Sequence, residues 1–279
     1  MIANRLSGKV AFVTGAARGQ GRSHAVRLAA EGADIIAVDA LEQFSSVKYP
    51  LATKADLDET VSQIQALDRR VIARQADVRD LAALTAVVDE GVAELGRLDV
   101  VVANAGIATY APALELTEQE WDEMVGINLG GVWRTIRASV HHIKERGEGG
   151  SVIITSSASG LRAIPNASHY AAAKHGLVGF TKVLALELGR DRIRANTIHP
   201  TTVDTPMVQN QATLDLFLPG QADQSQEAFV RIARRLNPIP IPWIQPGTVS
   251  DLVAFLASDE AEFITGAAIP VDAGMAIRW

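Results

Sequence analysis

The chain contains no cysteine, which excludes disulfides, thiol nucleophiles and thiolate-held metals. Such an absence fits a reducing cytoplasm, the expected location. Aromatic residues make up only 5% of the sequence, and no apolar run reaches the ~18 residues of a membrane-spanning helix. Basic residues are not clustered, and 26 Lys+Arg against 32 Asp+Glu leave a net charge of −6. Phosphate-backbone recognition needs a concentrated basic face, so neither nucleic acid nor a membrane is an expected partner. The apolar stretch Val10 to Val13 is too short for a signal h-region and runs straight into glycines, so it reads as a strand. There is no internal repeat, low-complexity tract or linker. What remains is an ordinary globular composition, 48% hydrophobic over 279 residues, expected to form one α/β unit over 1–279.

The strand at Lys9–Thr14 is followed by Gly15-Ala-Ala-Arg18-Gly19-Gln20-Gly21 and then a helical stretch from Arg22 to Ala30. Glycines at this junction allow a tight turn and let backbone N–H groups approach a pyrophosphate at the helix N-terminus. A second strand, Ala33 to Asp39, ends on a carboxylate eighteen residues after Gly21. There Asp39 can accept from a ribose 2′-OH and repel a 2′-phosphate, favouring NAD over NADP. Arg18 in the same loop is the counterweight, since a basic side chain there can serve a 2′-phosphate. Asp39 sits at the ribose itself and is weighted more. An insertion, at about 41–70, follows with Phe44, Tyr49 and Pro50 in a loop and a helix from about Ala55 to Leu67. Leaving the strand that carries Asp39, it is placed beside the cofactor's adenosine half. The third strand runs to Asp77-Val78, and the fourth, Leu98 to Ala103, into Asn104-Ala105-Gly106. Both ends face the crevice of a doubly wound sheet.

Thr117-Glu118-Gln119-Glu120 is a capping box opening one long helix to about Glu145. Inside it, Gly126-Ile127-Asn128-Leu129-Gly130-Gly131 costs helix stability and predicts a local bulge presenting Asn128. His141-His142 are adjacent on that helix, where side chains diverge, so no metal site is expected. The fifth strand, Ser151 to Thr155, leads into Ser156-Ser157, and a helix carries Tyr170 and Lys174. Four residues apart on one helix face, Tyr170 and Lys174 stand about 6 Å apart along its axis. A neighbouring ammonium favours the phenolate, which makes Tyr170 a base for an alcohol proton. The sixth strand, Arg194 to His199, precedes Pro200-Thr201-Thr202-Val203-Asp204-Thr205. The pattern loosens over about 206–243, including Pro219-Gly220, which is the expected substrate-covering segment. A helix near Val249 to Phe255 and a seventh strand, Ala267 to Asp272, complete the chain.

In combination, Thr14 to Gly21, Asp77-Val78, Asn104-Ala105-Gly106, Asn128, Ser157 and Tyr170-x-x-x-Lys174 resemble the short-chain dehydrogenase/reductase family from Gly8 to Gly274. The resemblance implies a Rossmann-type sheet of seven parallel strands in order 3-2-1-4-5-6-7, with helices on both faces. It also implies dimers or tetramers, a homotetramer above all. Thr14 to Ala25, the 41–70 insertion and His199 to Pro206 are further similar to the mycofactocin-coupled, carveol-dehydrogenase-like enzymes of actinobacteria. That branch implies tightly held, non-exchangeable NAD reoxidised by an external redox partner. Pro200-Thr201 stands where the wider family has Pro-Gly.

Carried over residue by residue, Tyr170 is the base, Ser157 holds the substrate oxygen and Lys174 tunes Tyr170 and binds the nicotinamide ribose. Asn128 anchors a water leading to Lys174. Gly15, Gly19 and Gly21 admit the pyrophosphate, with Arg18 and Gln20 beside them. Asp39 takes the ribose, and Asp77 and Val78 flank adenine. Asn104, Ala105 and Gly106 line the crevice. Thr155, Pro200, Val203 and Thr205 meet the nicotinamide end. The expected reaction interconverts a secondary alcohol, cyclic and terpenoid or steroid-like, and its ketone. A carbonyl reductase with exchangeable NAD(P)H and a non-catalytic dinucleotide sensor are the alternatives.

Overall fold

Side chains along a strand alternate between the two faces of a sheet, so a strand covered by helices on both sides is apolar throughout. Residues 10–13 and 100–103 follow that rule. The computed structural model describes residues 4–218, 220, 223 and 225–278. Pro219, Gln221, Ala222 and Gln224 of the expected substrate segment lie outside the described residues, as do 1–3 and 279. The strands are β1 (Val10–Thr14), β2 (Asp34–Asp39), β3 (Val71–Gln75), β4 (Val100–Ala103), β5 (Gly150–Thr155), β6 (Ile193–Pro200) and β7 (Ala268–Val271). They form one parallel sheet in the order β3-β2-β1-β4-β5-β6-β7. The chain direction across the sheet reverses between β1 and β4, which opens a crevice at their C-terminal ends.

The helices are α1 (Gly19–Ala30), α2 (Lys54–Gln65), α3 (Leu81–Leu95), α4 (Glu118–Val125), α5 (Gly131–Arg146), α6 (Ser168–Leu188), α7 (Gln211–Phe217), α8 (Gln226–Ala233) and α9 (Pro246–Ala257). Phe12, Ile36, Val38, Val101 and Val152 point to one face of the sheet and pack with α3, α5 and α6. Their neighbours Ala11, Val13, Ile35, Ala37, Val100 and Ile153 point to the other and pack with α1, α2 and α9. Among the described residues no helix is long and apolar enough to cross a membrane.

The helix after Thr117 is α4 and α5 joined by a π-helical turn at Gly126–Gly130, the local bulge that its glycines and Asn128 predict. The buried Asn128 amide explains the break: its Nδ2 donates to the Ile107 carbonyl at 2.9 Å and its Oδ1 accepts from the Ile107 N–H at 3.0 Å. The 206–243 segment is less loose than its composition suggests. It holds α7 and α8, with Phe229 stacked against Phe217 and Trp243 at centroid distances of 5.5 and 6.0 Å.

The insertion is integral to the fold. Phe44, Val47 and Tyr49 of its loop join one core face, while Leu57 and Ile64 of α2 join the other. It therefore straddles the C-terminal edge of the sheet. A capping box between Thr53 and Asp56 starts α2. Arg22 of α1 then donates to the carbonyls of Ala17 (2.6 Å) and Asp56 (2.7 Å), and buried Thr60 donates to those of Ala16 and Ala17 (both 3.0 Å). The glycine loop and the insertion thus share one hydrogen-bond network. Arg22→Ala removes the guanidinium that links the Ala17 and Asp56 carbonyls and should cost about 1–3 kcal/mol in chemical denaturation; a change below ~0.5 kcal/mol would show the network to be ornamental.

Candidate active site

The strand ends open into a cavity whose outer half is built for a dinucleotide. Helix α1 starts without a side-chain cap and with no acidic residue in its first turn, so its N-terminal N–H groups are left for an anion. Gly15 and Gly19 both adopt positive φ, +67° and +57°, conformations that cost little only for glycine. A Cβ on Gly21 would overlap the Gly15 carbonyl oxygen, and one on Gly15 would lie 2.8 Å from the Ala105 Cα. Thr14 Oγ1 accepts from the N–H groups of Asn104 (3.1 Å) and Ala105 (3.2 Å), locking the two glycine-bearing loops together.

Asp39 ends β2 and accepts from the Ala17 N–H at 3.0 Å. Burial pushes its carboxyl above the usual value, and the backbone N–H groups of Ala17, Leu41 and Ala40 oppose that shift. Arg18 is turned to the insertion, donating to the Pro50 carbonyl. Asp77 pairs with Arg79 (2.6 Å), whose guanidinium lies 4.4 Å from the Phe44 ring centroid. Val78 packs so tightly on α5 that a Cβ on Gly131 would lie 2.5 Å from its Cγ2. Tyr49 reaches the opposite wall, where its hydroxyl accepts from the Ala108 N–H at 3.1 Å. Ser46 is hydrogen-bonded to Glu123 of α4. The insertion loop therefore crosses the cavity mouth tied on both sides.

The inner half carries the reactive groups. Helix α6 places Tyr170 and Lys174 on the cavity wall. Lys174 is 4% exposed, donates from Nζ to the Thr155 carbonyl at 2.9 Å and lies 5.7 Å from the Tyr170 ring centroid. Burial lowers its ammonium to about 8. Burial also pushes the Tyr170 phenol upward, opposed by a hydrogen bond from the Ser157 side chain. Gln20 Oε1 and Thr155 Oγ1, both on the cavity wall, are buried without a partner among the described residues. Orphaned acceptors and donors at the two ends, with no room for a Cβ at the glycines, fit an extended polar cofactor such as NAD.

Of the residues singled out by sequence, Gly15, Arg18, Gly19, Gln20, Gly21 and Asp39 line the outer half. Asp77, Val78, Asn104, Ala105 and Gly106 line the middle, and Asn128, Thr155, Tyr170, Lys174 and Thr205 complete the wall. Ser157, Pro200 and Val203 are not on it. Ser157 sits just behind, within reach of Tyr170. Pro200 is buried at the end of β6 opposite Val271, and Val203 is bridged to Ile244. The Asn128 amide is committed to Ile107, so its side chain shapes the loop after β4. Leu51, Ala52, Ile107, Ile127 and Met207 also line the cavity; they are apolar and gave no chemical signal. The two histidines depart from expectation. Their ring centroids lie 4.0 Å apart, because Asp89 of α3 draws His142 inward by a 2.8 Å hydrogen bond, and donor atoms of all three fall within 4.8 Å.

A family profile described as enoyl-(acyl carrier protein) reductase matches residues 15–276. A short-chain type dehydrogenase/reductase of Mycolicibacterium smegmatis is 51% identical over 99% of this chain and 100% of its own length. The (-)-trans-carveol dehydrogenase of Rhodococcus erythropolis is 49% identical over 98% and 99%. The crystal structure of carveol dehydrogenase from Mycobacterium avium in complex with NAD superimposes with a TM-score of 0.96, at 47% identity over 98% of this chain and 99% of that one. The chain belongs to the short-chain dehydrogenase/reductase family, in its carveol-dehydrogenase-like branch.

Proposed function

We propose that this protein oxidises a cyclic secondary alcohol, terpenoid or steroid-like in shape, to its ketone, and does so with an NAD retained between turnovers. It is an NAD-dependent short-chain alcohol dehydrogenase. One observation carries the reading: Tyr170 and Lys174 stand at the inner end of the cavity whose outer end holds the glycine loop and Asp39. When bound, NAD supplies the acceptor for the hydride leaving the alcohol carbon. The remaining work falls to the chain. Ser157 donates to the alcohol oxygen and stabilises charge developing there, and Tyr170 takes the hydroxyl proton at its phenolic oxygen. Lys174, held against Thr155, keeps positive charge near both the phenolate and a ribose. Asn128 keeps the β4 loop in place and anchors a water towards Lys174.

Similarity to the R. erythropolis carveol dehydrogenase supports a cyclic substrate, and the apolar lining from Leu51, Ile107 and Met207 suits one. The anchored insertion supports retention, which in turn requires an external partner, of the mycofactocin kind, to reoxidise the cofactor in place. The unit spans 1–279, with 41–70 as cofactor cover and 206–243 as substrate cover. Trp121, Trp133, Val183 and Leu186 are exposed on α4, α5 and α6, which supports a homotetramer; the protein works in the cytoplasm.

Tyr170 must be ionised to accept a proton, and burial raises its pKa, so kcat/KM for alcohol oxidation should climb with pH until the Lys174 ammonium, lowered by burial to about 8, loses its proton. Tyr170→Phe should flatten that climb and lower kcat by ~10²–10⁴, leaving NAD binding intact. Near-normal turnover would remove Tyr170 from the mechanism. Asp39→Ala removes both a ribose acceptor and the charge that repels a 2′-phosphate. Calorimetry should then show weaker NAD binding and a gain for NADP; a wild type that already prefers NADP would show that Arg18 governs the choice.

A further inference from the structure

We infer that His199 is a positioning residue that fixes Ser157 for catalysis through a hydrogen bond to its backbone carbonyl. The inference rests on the role given to Ser157 above. His199 is wholly buried near the end of β6. Its Nδ1 lies 2.7 Å from the Ser157 carbonyl and its Nε2 lies 2.8 Å from Thr197 Oγ1. A carbonyl oxygen only accepts, so Nδ1 carries the proton and Nε2 receives the Thr197 hydroxyl proton. Tautomer and ring plane are fixed together.

The bond is not needed to align the strands. Residues 155 and 198 are already paired in the β5–β6 ladder, and the Ser156 N–H donates to the Ile198 carbonyl at 2.9 Å. His199 adds a contact one residue beyond, where the ladder has ended and β5 turns away. There the Ser157 carbonyl takes two donors, His199 Nδ1 and the Gly160 N–H at 2.8 Å, while Ser157 Oγ accepts from the Ser159 N–H at 3.1 Å. With both carbonyl lone pairs engaged and one hydroxyl lone pair used, Ser157 is held in extended backbone (φ −166°). Its hydroxyl proton is left for Tyr170 or a substrate oxygen. Releasing the carbonyl lets that hydroxyl drift, and a displacement of about 1 Å costs up to ~10²-fold in rate.

The amide nitrogen of asparagine can occupy the place of a histidine Nδ1, whereas that of glutamine falls nearer Nε2. In assays with carveol, excess NAD and a dye acceptor, His199→Gln should lower kcat by about 10- to 100-fold with KM within about threefold. His199→Asn should stay within about threefold of wild type, and thermal midpoints are read on every variant. The decisive comparison is a double-mutant cycle with Ser157→Ala. If His199 acts through Ser157, His199→Gln should cost less than about twofold once Ser157 is gone. Equal losses in both backgrounds, or equal losses in the Asn and Gln variants, would overturn the inference and leave His199 a packing residue. Full turnover by Ser157→Ala would overturn it together with the functional reading beneath it.

Discussion

The clasp between the Asn128 amide and the Ile107 backbone is the interaction on which the rest of the site depends. Both hydrogen bonds are buried, in surroundings where an unmade partner costs about 1–3 kcal/mol. Asn128 can reach Ile107 only because the helix widens to a π turn, and glycines at 126, 130 and 131 tolerate that turn despite the ~1 kcal/mol each costs in a regular helix. The consequences spread from there. The Asn128 oxygen fills the space that a side chain at Gly106 would need, and the N–H next after that of Ile107, at Ala108, is presented to Tyr49.

That last contact joins the core of the fold to the insertion. An insertion resting on one face of a sheet could peel away with little effect. This one places aromatic and aliphatic side chains in both hydrophobic clusters, and it is held by Arg18 at the Pro50 carbonyl, by Arg22 at the Asp56 carbonyl, and through its own Tyr49 and Thr60 to Ala108 and Ala17. Opening it breaks several contacts at once. A thousandfold slower cofactor release corresponds to about 4 kcal/mol of added barrier, well within what burial of Phe44, Val47 and Tyr49 contributes. The proposed retention rests on this anchoring, because a cover acts mainly on dissociation.

Much of this was legible in the sequence, for identifiable reasons. Strand runs such as residues 10–13 and 100–103 are apolar at every position, the mark of strands buried on both faces, and the glycines, Asp39 and the Tyr170–Lys174 spacing carry chemistry in their residue types. What was not legible depends on three-dimensional surroundings. A glycine-rich stretch around Asn128 announces a disturbed helix but not that its amide faces Ile107. The Tyr–Lys spacing says nothing of the burial that pushes the Tyr170 phenol upward, or of the Thr155 carbonyl to which Lys174 donates. Two adjacent histidines read as divergent until Asp89 on another helix draws one of them in. The apolar side chains of Leu51 and Met207 resemble any core residue until the chain is folded.

Cofactor retention and alcohol oxidation meet in one measurement. Freshly purified protein, with no NAD added, is mixed with carveol while reduced nicotinamide is followed by absorbance, and a denatured portion is assayed for total NAD(H). The account predicts cofactor close to one per chain and a single burst of reduction no larger than that amount, resuming only when an electron acceptor is supplied. A cofactor-free preparation that turns over steadily on added NAD would contradict it.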